Sequence, residues 1–512
     1  MAEKFDVLTQ GWIPVVDREE TIRKVGILEA LKNSHNFVGI SDPSPMVEYG
    51  LYRFLSVFLM DALRPEEQGA LEDLLEQGAF DGEMIDSYVK QCRSEGVSFD
   101  LFDKERPFLQ TPYVSQVDKK GKMVEDRKPA AALDYSCPSG DSHAHFDHRD
   151  VGEITFSFDE AARLLVPLQI FSPAGGRGYP YNVNGQPPFY TIVKGKTLFE
   201  TLVFSMRPLS QIDIPFDSPK VFWRNPSLLE SGKLVASTSW LYGMIFPARK
   251  ITLFPEKGMV TKIYLAPGLK FASEKMWRDP FVTYQLEKGE FKPWRPNREI
   301  PVWRNLSDLA DTEGKKEPQV LQQYFELEKD SEEASISVYG AQTVPGKATF
   351  LDEFHFDLKF PVRLAKDEMF LNIVTCAIRS AEKMERVLKS TFDDISEYPK
   401  APCQKRHLNE EAPKIPGISR AVVREASRRY YDRCEQQFWN LCENNGETLE
   451  ELEKAYLAWC DFLAETAKAV RNEVLAQSHL TGRALAKAAA HDKDIPDANR
   501  LNKKEAEKWI KA

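Results

Sequence analysis

The amino-acid sequence predicts an α+β protein, with a large mixed α/β domain with long loops over residues 1–364 and a four-helix bundle over residues 365–512. Two observations support this division. The chain of 512 residues is longer than one hydrophobic core usually serves. Proline and glycine are dense between residues 105 and 305, which indicates long loops, and they become sparse after residue 365 apart from 399–417.

The predicted elements of the N-terminal domain follow from local patterns. FDVLTQGWIPV opens as a strand followed by a turn at Gly11 and Pro14. Residues 46–63 place apolar side chains at helical spacing, and residues 189–206 indicate a strand, a turn at Gly195 and a helix. ARKITLFP and MVTKIYLAP indicate two short strands. A domain of such elements joined by long loops usually uses those loops for function.

The chain after residue 365 carries the pattern of amphipathic helices. Apolar residues recur at i, i+3, i+4 and i+7 in EMFLNIVTCAIRSAEKMERVL and in LEELEKAYLAWCDFLAETAKAV. The predicted helices cover residues 365–392, 418–444 and 447–478, with a shorter one over 498–511. Four such helices in succession predict an antiparallel bundle.

Composition and charge limit the classes of function. The formal net charge of -10 argues against indiscriminate nucleic-acid binding, so any DNA contact has to use small local patches or a more basic assembly. The seven cysteines are scattered without a C-x-x-C pair, which favours reduced thiols over a disulfide framework or a zinc finger. The sequence has no apolar run of about 18 residues and no signal-peptide core, so we expect a cytoplasmic protein without membrane contact.

The stretch SHAHFDH at residues 142–148 contains H-x-H-x-D-H, a pattern by which metallo-β-lactamase-type hydrolases bind two metal ions. The candidate ligands are His143, His145, Asp147 and His148. Such a site also needs histidines and a bridging carboxylate downstream, but the next histidine is His355. The stretch also follows a polar, turn-rich segment instead of a buried strand. We therefore expect a polar loop, no metal or other cofactor, and no enzyme activity, with a metal-dependent hydrolase as the alternative.

Two glycine-containing loops are candidates for contact with another molecule. PAGGRGYPYNVNGQP at 173–187 is only superficially a phosphate-binding loop, since no G-K-[ST] follows and prolines oppose a helix. Its glycines let the backbone lie against a partner, although a flexible surface loop is the local alternative. YGAQTVPGKATF at 339–350 lies between two predicted strands, with Lys347 at the tip of a Pro-Gly turn. That lysine is either a wedge between base pairs or a solvated charge.

These loops, with their flanks and their order, resemble the CasA/Cse family, which supplies the large subunit of the type I-E CRISPR Cascade surveillance complex. The resemblance covers nearly the whole chain. It is carried by WIPV, RPFLQTPYV, SGDSHAHFDH, PAGGRGYP followed by PPFYTIVKG, GLKFASEKMW, VPGKATFLDEFHFDL and VREASRRYYDRCEQQFWNLCE. No single motif is specific, but their order and spacing together make the chain similar to this family.

The resemblance implies a non-catalytic subunit that reads DNA. Sequence specificity would come from pairing between guide RNA and target, while the protein checks a short flanking duplex motif, the PAM, before the strands separate. The family reads the PAM from the minor groove, where A·T pairs present only acceptors and guanine adds one donor. A hairpin wedge would then open the duplex to start R-loop formation, and the subunit would help recruit the helicase–nuclease.

The resemblance also implies the residues that contact DNA. They are Ala174, Gly175, Gly176, Arg177 and Gly178 on the glycine loop, Lys270 with Lys275 as second choice in the minor groove, and Gly346, Lys347 and Ala348 on the wedge tip with Gln342 upstream. Arg177 stands where the family has glycine, and Lys347 stands where it has glutamine, which leaves the PAM preference open. A lysine tip should depend on salt more than a glutamine tip does.

The implied partners are double-stranded target DNA, the 5′ end of the CRISPR guide RNA, the backbone and small subunits of Cascade, and the helicase–nuclease. Phe146, with His143 and His145, lies on the loop that would reach the guide RNA and the neighbouring backbone subunit. A purely scaffolding, RNA-binding subunit without DNA reading is a further alternative.

The helical region carries a basic-aromatic stretch, SRRYYDR, at residues 427–433. In the resemblance it would hold a single DNA strand through Arg428, Arg429 and Arg433, beside the two tyrosines. The local alternative is a helix surface with i,i+4 ion pairs. The sequence alone leaves both interpretations open.

Overall fold

The computed structural model describes most of the chain, in segments. They are residues 3–115, 126–137, 152–172, 178–225, 230–272, 277–295, 302–309, 315–343, 350–395, 418–443, 448–478, 480 and 482–510. The chain divides into two units, one of Met1–Arg298 and Asp311–Phe360 and the other of Glu299–Ala310 and Pro361–Ala512. The segment Glu299–Ala310, which the sequence places in the N-terminal domain, is therefore grouped with the helical unit.

The first unit mixes helices with short strands. Its helices are α1 (Ile27–Lys32), α2 (Pro45–Leu63), α3 (Gln68–Gln77), α4 (Gly82–Ser94), α5 (Phe158–Ile170), α6 (Leu198–Phe204), α7 (Trp240–Met244) and α8 (Gln319–Leu327). Its strands are β1 (Ile13–Asp17), β2 (Ile22–Val25), β3 (Phe37–Ile40), β4 (Arg127–Pro129), β5 (Phe156–Ser157), β6 (Tyr190–Lys194), β7 (Leu234–Val235), β8 (Arg249–Glu256), β9 (Met259–Pro267), β10 (Lys270–Phe271), β11 (Tyr284–Glu287), β12 (Glu290–Pro293), β13 (Lys315–Lys316), β14 (Glu333–Thr343) and β15 (Phe350–Pro361).

The strands form several small sheets. β1 pairs antiparallel with β2 and β3, and β11 pairs antiparallel with β12 and β13. β9 is the antiparallel partner of β4, β5 and β8, while β7 and β10 run parallel. β14 lies between β15 and β6, with Tyr339 opposite Tyr190. The long partners β8 and β9 confirm the strands predicted in ARKITLFP and MVTKIYLAP.

Helix α2 lies at the centre of the first unit. Its residues from Met46 to Asp61 are buried on every face, because apolar side chains predominate all round it and a helix of that kind needs protein on all sides. The Ser44 hydroxyl caps it by accepting the N–H of Val47 at 3.4 Å, and Pro45 fits its first turn. The helix packs against α4, α5, α6, α7 and β14. The helix predicted over 46–63 is thus confirmed.

The strand–turn–helix predicted over residues 189–206 is also confirmed, as β6 and α6. A glycine is required between them, because a Cβ on Gly195 would lie 2.2 Å from the Cβ of Glu200. The Thr197 hydroxyl caps α6 by accepting the N–H of Glu200 at 3.2 Å. The turn between β6 and α6 therefore depends on the close packing of Gly195 against Glu200 and on the cap by Thr197.

The second unit is helical. Its helices are α9 (Arg363–Lys366), α10 (Glu368–Ser390), α11 (Arg420–Cys442), α12 (Leu449–Gln477), α13 (Gly482–Ala490) and α14 (Asp494–Ile510). Side chains of Asp367, Ser419 and Thr448 cap the three longest helices at their N-termini. α12 packs against α10, α11 and α14, and α10 also packs against α11 and α14, so the predicted helical bundle is confirmed.

An aromatic cluster fills the centre of the second unit. Trp303, Phe438 and Trp459 are each at most 1% exposed. The Trp303 ring centroid lies 4.6 Å from that of Phe438 and 6.2 Å from that of Trp459. Trp303 therefore packs residues 302–309 against α11 and α12, which agrees with the grouping of this part of the chain with the second unit.

Two general expectations can be compared with the described residues. None of the described helices is both long and apolar enough to cross a membrane. The six cysteines that the structure describes are free thiols, and five of them are buried. Burial raises the pKa of the Cys460 thiol to about 12, so this thiol stays protonated and unreactive at neutral pH.

Candidate nucleic-acid interface

The residues predicted to touch nucleic acid lie largely on segments outside the described residues. Those outside are Phe146, His143, His145, Asp147 and His148 of the histidine stretch, Ala174, Gly175, Gly176 and Arg177 of the glycine loop, Lys275, and Gly346, Lys347 and Ala348 of the wedge tip. Gly178, Lys270 and Gln342 are described. The structure therefore describes the interface at the bases of three loops. The base of a loop is the described residues on either side of 173–177, 273–276 or 344–349.

The base of the glycine loop is closed by Asn182. Its backbone N–H donates to the carbonyl of Ser172 at 3.1 Å, and its side-chain amide donates to the carbonyl of Gln169 at 2.6 Å. Asn182 is buried, so these bonds fix the two ends of the loop beside the end of α5. Gly178, the last loop residue, has a φ of 90° with open space around its Cα. The positive φ favours glycine there for backbone reasons alone.

The residues just after Gly178 are held on strand β9. The Tyr179 hydroxyl donates to the carbonyl of Leu265 at 2.8 Å and accepts from the Lys128 ammonium at 2.9 Å. Arg249, on β8 and only 4% exposed, donates to the carbonyl of Pro180 at 2.7 Å. These bonds place the exit of the glycine loop at the end of the β8–β9 hairpin.

Lys270 lies three residues beyond the end of β9. It is exposed, and its backbone N–H donates to the carbonyl of Lys233 at 2.9 Å as part of the short β7–β10 pair. Gly268, just before it, packs so closely that a Cβ would lie 2.2 Å from the carbonyl oxygen of Pro247. The Lys270 backbone is therefore held beside the residues that precede Arg249. The structure brings this lysine and the exit of the glycine loop to the same end of the hairpin.

The base of the wedge hairpin lies against the start of the glycine loop. The Phe350 ring contacts the Tyr135 ring at a centroid distance of 4.6 Å. The Tyr135 hydroxyl donates to the carbonyl of Leu168 at 3.1 Å, near the end of α5. One tyrosine thus joins the two loop bases. Gln342 is half-buried near the end of β14, on the other arm of the hairpin.

Both arms of the wedge hairpin are also bound to the start of α2. On β14, the Tyr339 hydroxyl donates to Glu48 Oε1 at 2.6 Å. On β15, Glu353 Oε2 accepts from the hydroxyl of Ser44 at 2.7 Å. Burial raises the pKa of the Glu353 carboxyl, against the hydrogen bond from Ser44 that lowers it. The N-terminal turn of α2 therefore supports the wedge.

The middle of α2 supports the other two loops through a buried polar network. Arg53 Nη1 donates to Asp279 Oδ2 at 2.7 Å, and both side chains are at most 2% exposed. The Asn184 amide donates to the same carboxylate oxygen at 2.6 Å. Phe281 donates its N–H to the other oxygen at 3.1 Å, so the carboxylate is satisfied. Asp279 follows the loop over 273–276, and Asn184 follows the glycine loop.

The electrostatics of this network hold Arg53 charged. Burial by itself would lower the pKa of the guanidinium, but Asp279 and Tyr49 beside it raise the pKa above its ordinary value. Arg53 also donates through Nε to the carbonyl of Met244 at 2.6 Å and through Nη1 to the Tyr49 hydroxyl at 2.9 Å. A buried ion pair with this many hydrogen bonds gives little net stability, but breaking it is costly. It therefore fixes the positions of the segments it joins.

These supporting residues were not predicted from the sequence. The sequence does contain a sign of them. Two charged residues, Glu48 and Arg53, lie inside the run MVEYGLYRFLSVFLM, which is otherwise mostly apolar. A charge in such a run has to find a buried partner. The partner could not be named, because Arg53 and Asp279 are 226 positions apart in the chain.

The basic-aromatic stretch on α11 differs from its predicted arrangement. Tyr430 and Tyr431 are at most 3% exposed, so they belong to the core and cannot stack on a strand. Arg428 pairs with Glu425 and Asp432, both at 2.8 Å. Arg429 pairs with Glu425 at 3.0 Å and Arg433 with Glu473 at 2.9 Å. The ion pairs of the alternative interpretation are formed, and strand binding by these arginines stays a prediction.

The residues of the histidine stretch, which include the candidate metal ligands, lie outside the described part of the chain. Within the described segments, the structure brings together no group of three or more histidine, cysteine, aspartate or glutamate side chains suited to a metal ion.

Comparison with known proteins agrees with this arrangement of elements. The family model for CRISPR-associated protein Cse1 matches residues 6–470. The CRISPR-associated protein CasA/Cse1 of Thermus thermophilus is 29% identical over 411 residues, which are 77% of this chain and 78% of that protein. The crystal structure of a CRISPR-associated protein from Thermus thermophilus aligns with a TM-score of 0.76 at 22% identity, over 98% of this chain and 100% of that one.

A further solved structure, of a CRISPR RNA-guided surveillance complex, contains a chain that aligns with a TM-score of 0.68 at 18% identity. The alignment covers 92% of this chain and 99% of that one. At this identity the likeness concerns the fold, whereas the family model covers most of the sequence. The chain belongs to the CRISPR-associated Cse1 family.

Proposed function

We propose that the chain is the non-catalytic DNA-recognition subunit of a type I-E CRISPR interference complex. It reads the PAM of target duplex through the minor groove, wedges the duplex open to start R-loop formation, and helps recruit the helicase–nuclease. Its partners are target DNA, the 5′ end of the guide RNA, and the backbone and small subunits, in the cytoplasm. Family membership and the likeness to a chain of an RNA-guided surveillance complex support this proposal.

The observation that carries the proposal is the common support of three loop bases by α2. Glu48 and Ser44 bind the two arms of the wedge hairpin, and Arg53 binds the network that follows the other two loops. DNA reading from a few short loops needs them at fixed mutual positions, because the minor groove offers little besides shape and one guanine donor. A rigid buried helix is a suitable base for that.

The chemistry of the loops fits such a reading. A backbone edge lined by glycines at 175, 176 and 178 can approach the groove closely. Lys270 is exposed at the same end of the β8–β9 hairpin and offers a cation to the phosphates or to base acceptors. Insertion of the Lys347 tip costs a few kcal/mol of base stacking per step, which guide–target pairing offsets.

The test is R-loop formation by the reconstituted complex on targets with varied flanking bases. We expect Lys347→Ala, Lys270→Ala and Gly176→Asp each to lower R-loop formation on duplex DNA by about tenfold, the size of one lost charge-assisted contact. Binding to a target that is already melted should change little. Lys257→Ala is a matched control, since Lys257 is the exposed tip of the β8–β9 hairpin.

The outcomes separate the readings. Equal losses on duplex and melted targets would favour a scaffolding subunit that only bridges guide RNA and proteins. R-loop formation unchanged by all three variants would remove the loops from DNA reading. Two metal equivalents retained per chain after exhaustive dialysis would favour the hydrolase built on the histidine stretch.

A further inference from the structure

A cavity of about 370 Å³ lies in the first unit, beside the loop over 273–276. Its size falls within the range of small-molecule sites, about 300–1,000 Å³. It opens next to Phe271, the residue that follows Lys270 in β10. Phe271, Trp277 and Arg278 of its wall flank that loop, so the cavity adjoins the interface described above.

The cavity holds two arginines without ion-pair partners. Arg207 donates its Nε to the carbonyl of Gln211 at 3.2 Å, and Arg278 has its guanidinium 6.0 Å from the Tyr284 ring. Neither guanidinium has a carboxylate within 4.0 Å among the described residues, unlike the arginines of the α2 network. Both are half-buried, and charges in such places are normally paired. Among the described residues of the wall, the one carboxylate is that of Asp213.

The electrostatics of the cavity favour an anion. Burial lowers the pKa of Arg207, and the charge of Arg278 lowers it further, against Glu326 and Asp213, which raise it. Two like charges that weaken each other in a half-enclosed site are stabilised by a shared counter-ion. The fork of a guanidinium matches the oxygens of a phosphate, which two arginines can bind together.

The remaining wall has both apolar and polar residues. Phe271 contributes a half-buried aromatic ring beside the buried Trp240, and Ile214 is 37% exposed. Three buried polar atoms of wall residues, Thr238 Oγ1, Trp240 Nε1 and Trp277 Nε1, have no hydrogen-bond partner in the described chain, which is a rare condition. Aromatic rings beside cations are the usual arrangement for holding a nucleotide of a single strand, with its base on the ring and its phosphate on the cation.

The wall is also held rigidly by the α2 network. Arg278 directly precedes Asp279, the carboxylate that Arg53 and Asn184 bind. Trp277, on the other side of Arg278, packs on Gly243, where a Cβ would lie 2.3 Å from the indole. A cavity with a fixed wall is prepared for a ligand before it binds, which reduces the entropy lost on binding.

We propose that this cavity binds one nucleotide of a single-stranded nucleic acid, with its phosphate on Arg207 and Arg278 and its base against the half-buried ring of Phe271. The inference rests on the proposed function, because an opened strand would pass here after Lys270 has met the duplex. The shared chemistry is a nucleotide phosphate, which either the opened target DNA or the guide RNA supplies.

Photocrosslinking tests the proposal on the reconstituted complex. The probes are a pre-melted DNA target and a guide RNA, each carrying 5-iodouracil in turn, with the crosslinked peptide identified by mass spectrometry. We expect a crosslink to Phe271, and we expect Arg278→Ala and Arg207→Ala together to reduce it about tenfold. A crosslink through DNA assigns the cavity to the target strand and one through RNA assigns it to the guide, and both support the proposal.

Arg93→Ala is the matched control, because Arg93 is an exposed arginine on α4, 4.0 Å from Asp6 at the closest. Phe271→Leu keeps both arginines and should lower crosslinking without changing the midpoint of thermal unfolding. It tests the cavity independently in case the arginine variants do not fold. No crosslink to the wall, an unchanged crosslink in the arginine variants, or capture of a polyglutamate peptide in place of the nucleotide would overturn the proposal.

The melted target makes this result independent of PAM reading. Loss of PAM dependence with the wall crosslink intact would count against the proposed function only. Intact PAM dependence with no wall crosslink would count against the cavity only.

Discussion

The two units of the chain treat their charged residues in opposite ways. In the first unit, Arg53 and Asp279 are paired at 2.7 Å in the core, at most 2% exposed. In the second unit, Arg428 and Glu425 pair at 2.8 Å on the surface, 64% and 39% exposed. The centre of the second unit is filled by aromatic rings such as Trp303 and Trp459.

The difference indicates where position matters. A buried ion pair adds little net stability over an apolar core, so its value lies in fixing the segments it joins. In the first unit those segments are the bases of the loops predicted to read DNA. Surface pairs such as Arg428–Glu425 contribute little, and the helices of the second unit are held by apolar packing. The first unit is therefore expected to be sensitive to loss of a polar partner, and the second tolerant of it.

The largest expected effect is that of Asp279→Ala. Removing the carboxylate leaves Arg53 buried without its counter-charge, which costs about 3–5 kcal/mol of unfolding free energy. Asp432→Ala, which removes a surface partner of Arg428, should cost less than about 1 kcal/mol. Urea unfolding followed by circular dichroism measures both.

The double variant Arg53→Met with Asp279→Leu refines this prediction. Because it removes both charges, it should destabilise the protein less than Asp279→Ala does. If Asp279→Ala cost no more than Asp432→Ala, the contrast between the two units would be wrong.

A smaller effect is expected at the wedge. Tyr339→Phe removes the hydrogen bond to Glu48 and leaves a buried carboxylate with Lys194 at 3.9 Å as its nearest cation. The expected cost is about 2 kcal/mol. Tyr242→Phe is the matched control, because Tyr242 is 4% exposed and its hydroxyl has no hydrogen bond among the described residues. Equal midpoints of thermal unfolding for the two variants would contradict the support of the wedge by α2.

The smallest effects concern pH. The Arg224 guanidinium, followed by Lys220 and against burial, holds the pKa of Glu95 at about 2, below its ordinary 4.5. A carboxyl with a lowered pKa stabilises the fold above pH 4.5, and that stability is lost as pH falls towards 2. With the side chain 25% exposed, solvent screening limits the gain to about 1 kcal/mol. The difference in unfolding free energy between wild type and Glu95→Gln should therefore vanish towards pH 2.

The corresponding carboxyl in the second unit should respond to salt. Arg428 first, then Arg429, hold the pKa of Glu425 at about 2, and this carboxyl lies on the surface. The contribution of Glu425 should follow the same direction with pH but disappear in about 0.5 M NaCl, where the Debye length is a few ångström. Glu95, bound to the buried Arg224, should keep most of its contribution. Equal salt sensitivity for Glu95→Gln and Glu425→Gln would remove the distinction.

Much of the fold could be predicted from the sequence, because helices that bury one face show it as a period. α10, α11 and α12 follow their predicted spans closely, and α2 appears as an apolar run. Packing of Trp303 could not be predicted, since nothing in its local sequence shows which unit it joins. SRRYYDR fits both a strand-binding face and a core helix locally, and only the tertiary burial of its tyrosines distinguishes them.

The candidate site was predicted from resemblance to a family. The local residues alone did not decide whether each loop binds DNA or is an ordinary surface loop. The contacts that bring the loop bases together are pairs far apart in the chain, such as Ser44 with Glu353, 309 positions apart. Local spacing carries no information on such pairs, because it reports only neighbours within a few turns. The contacts of the loop tips with DNA stay predictions.

The central claim is that the buried network on α2 positions the loops for duplex opening, and Asn184→Ala tests it most directly. This variant removes one bond to Asp279 but leaves the Arg53 pair intact, so the protein should stay folded. We predict that R-loop formation on duplex DNA falls by about tenfold, the effect of one buried hydrogen bond to a charge, while binding to a melted target is kept. Asn440→Ala, at an exposed position of α11, should change neither. Duplex R-loop formation by a folded Asn184→Ala complex at the wild-type rate would contradict the account.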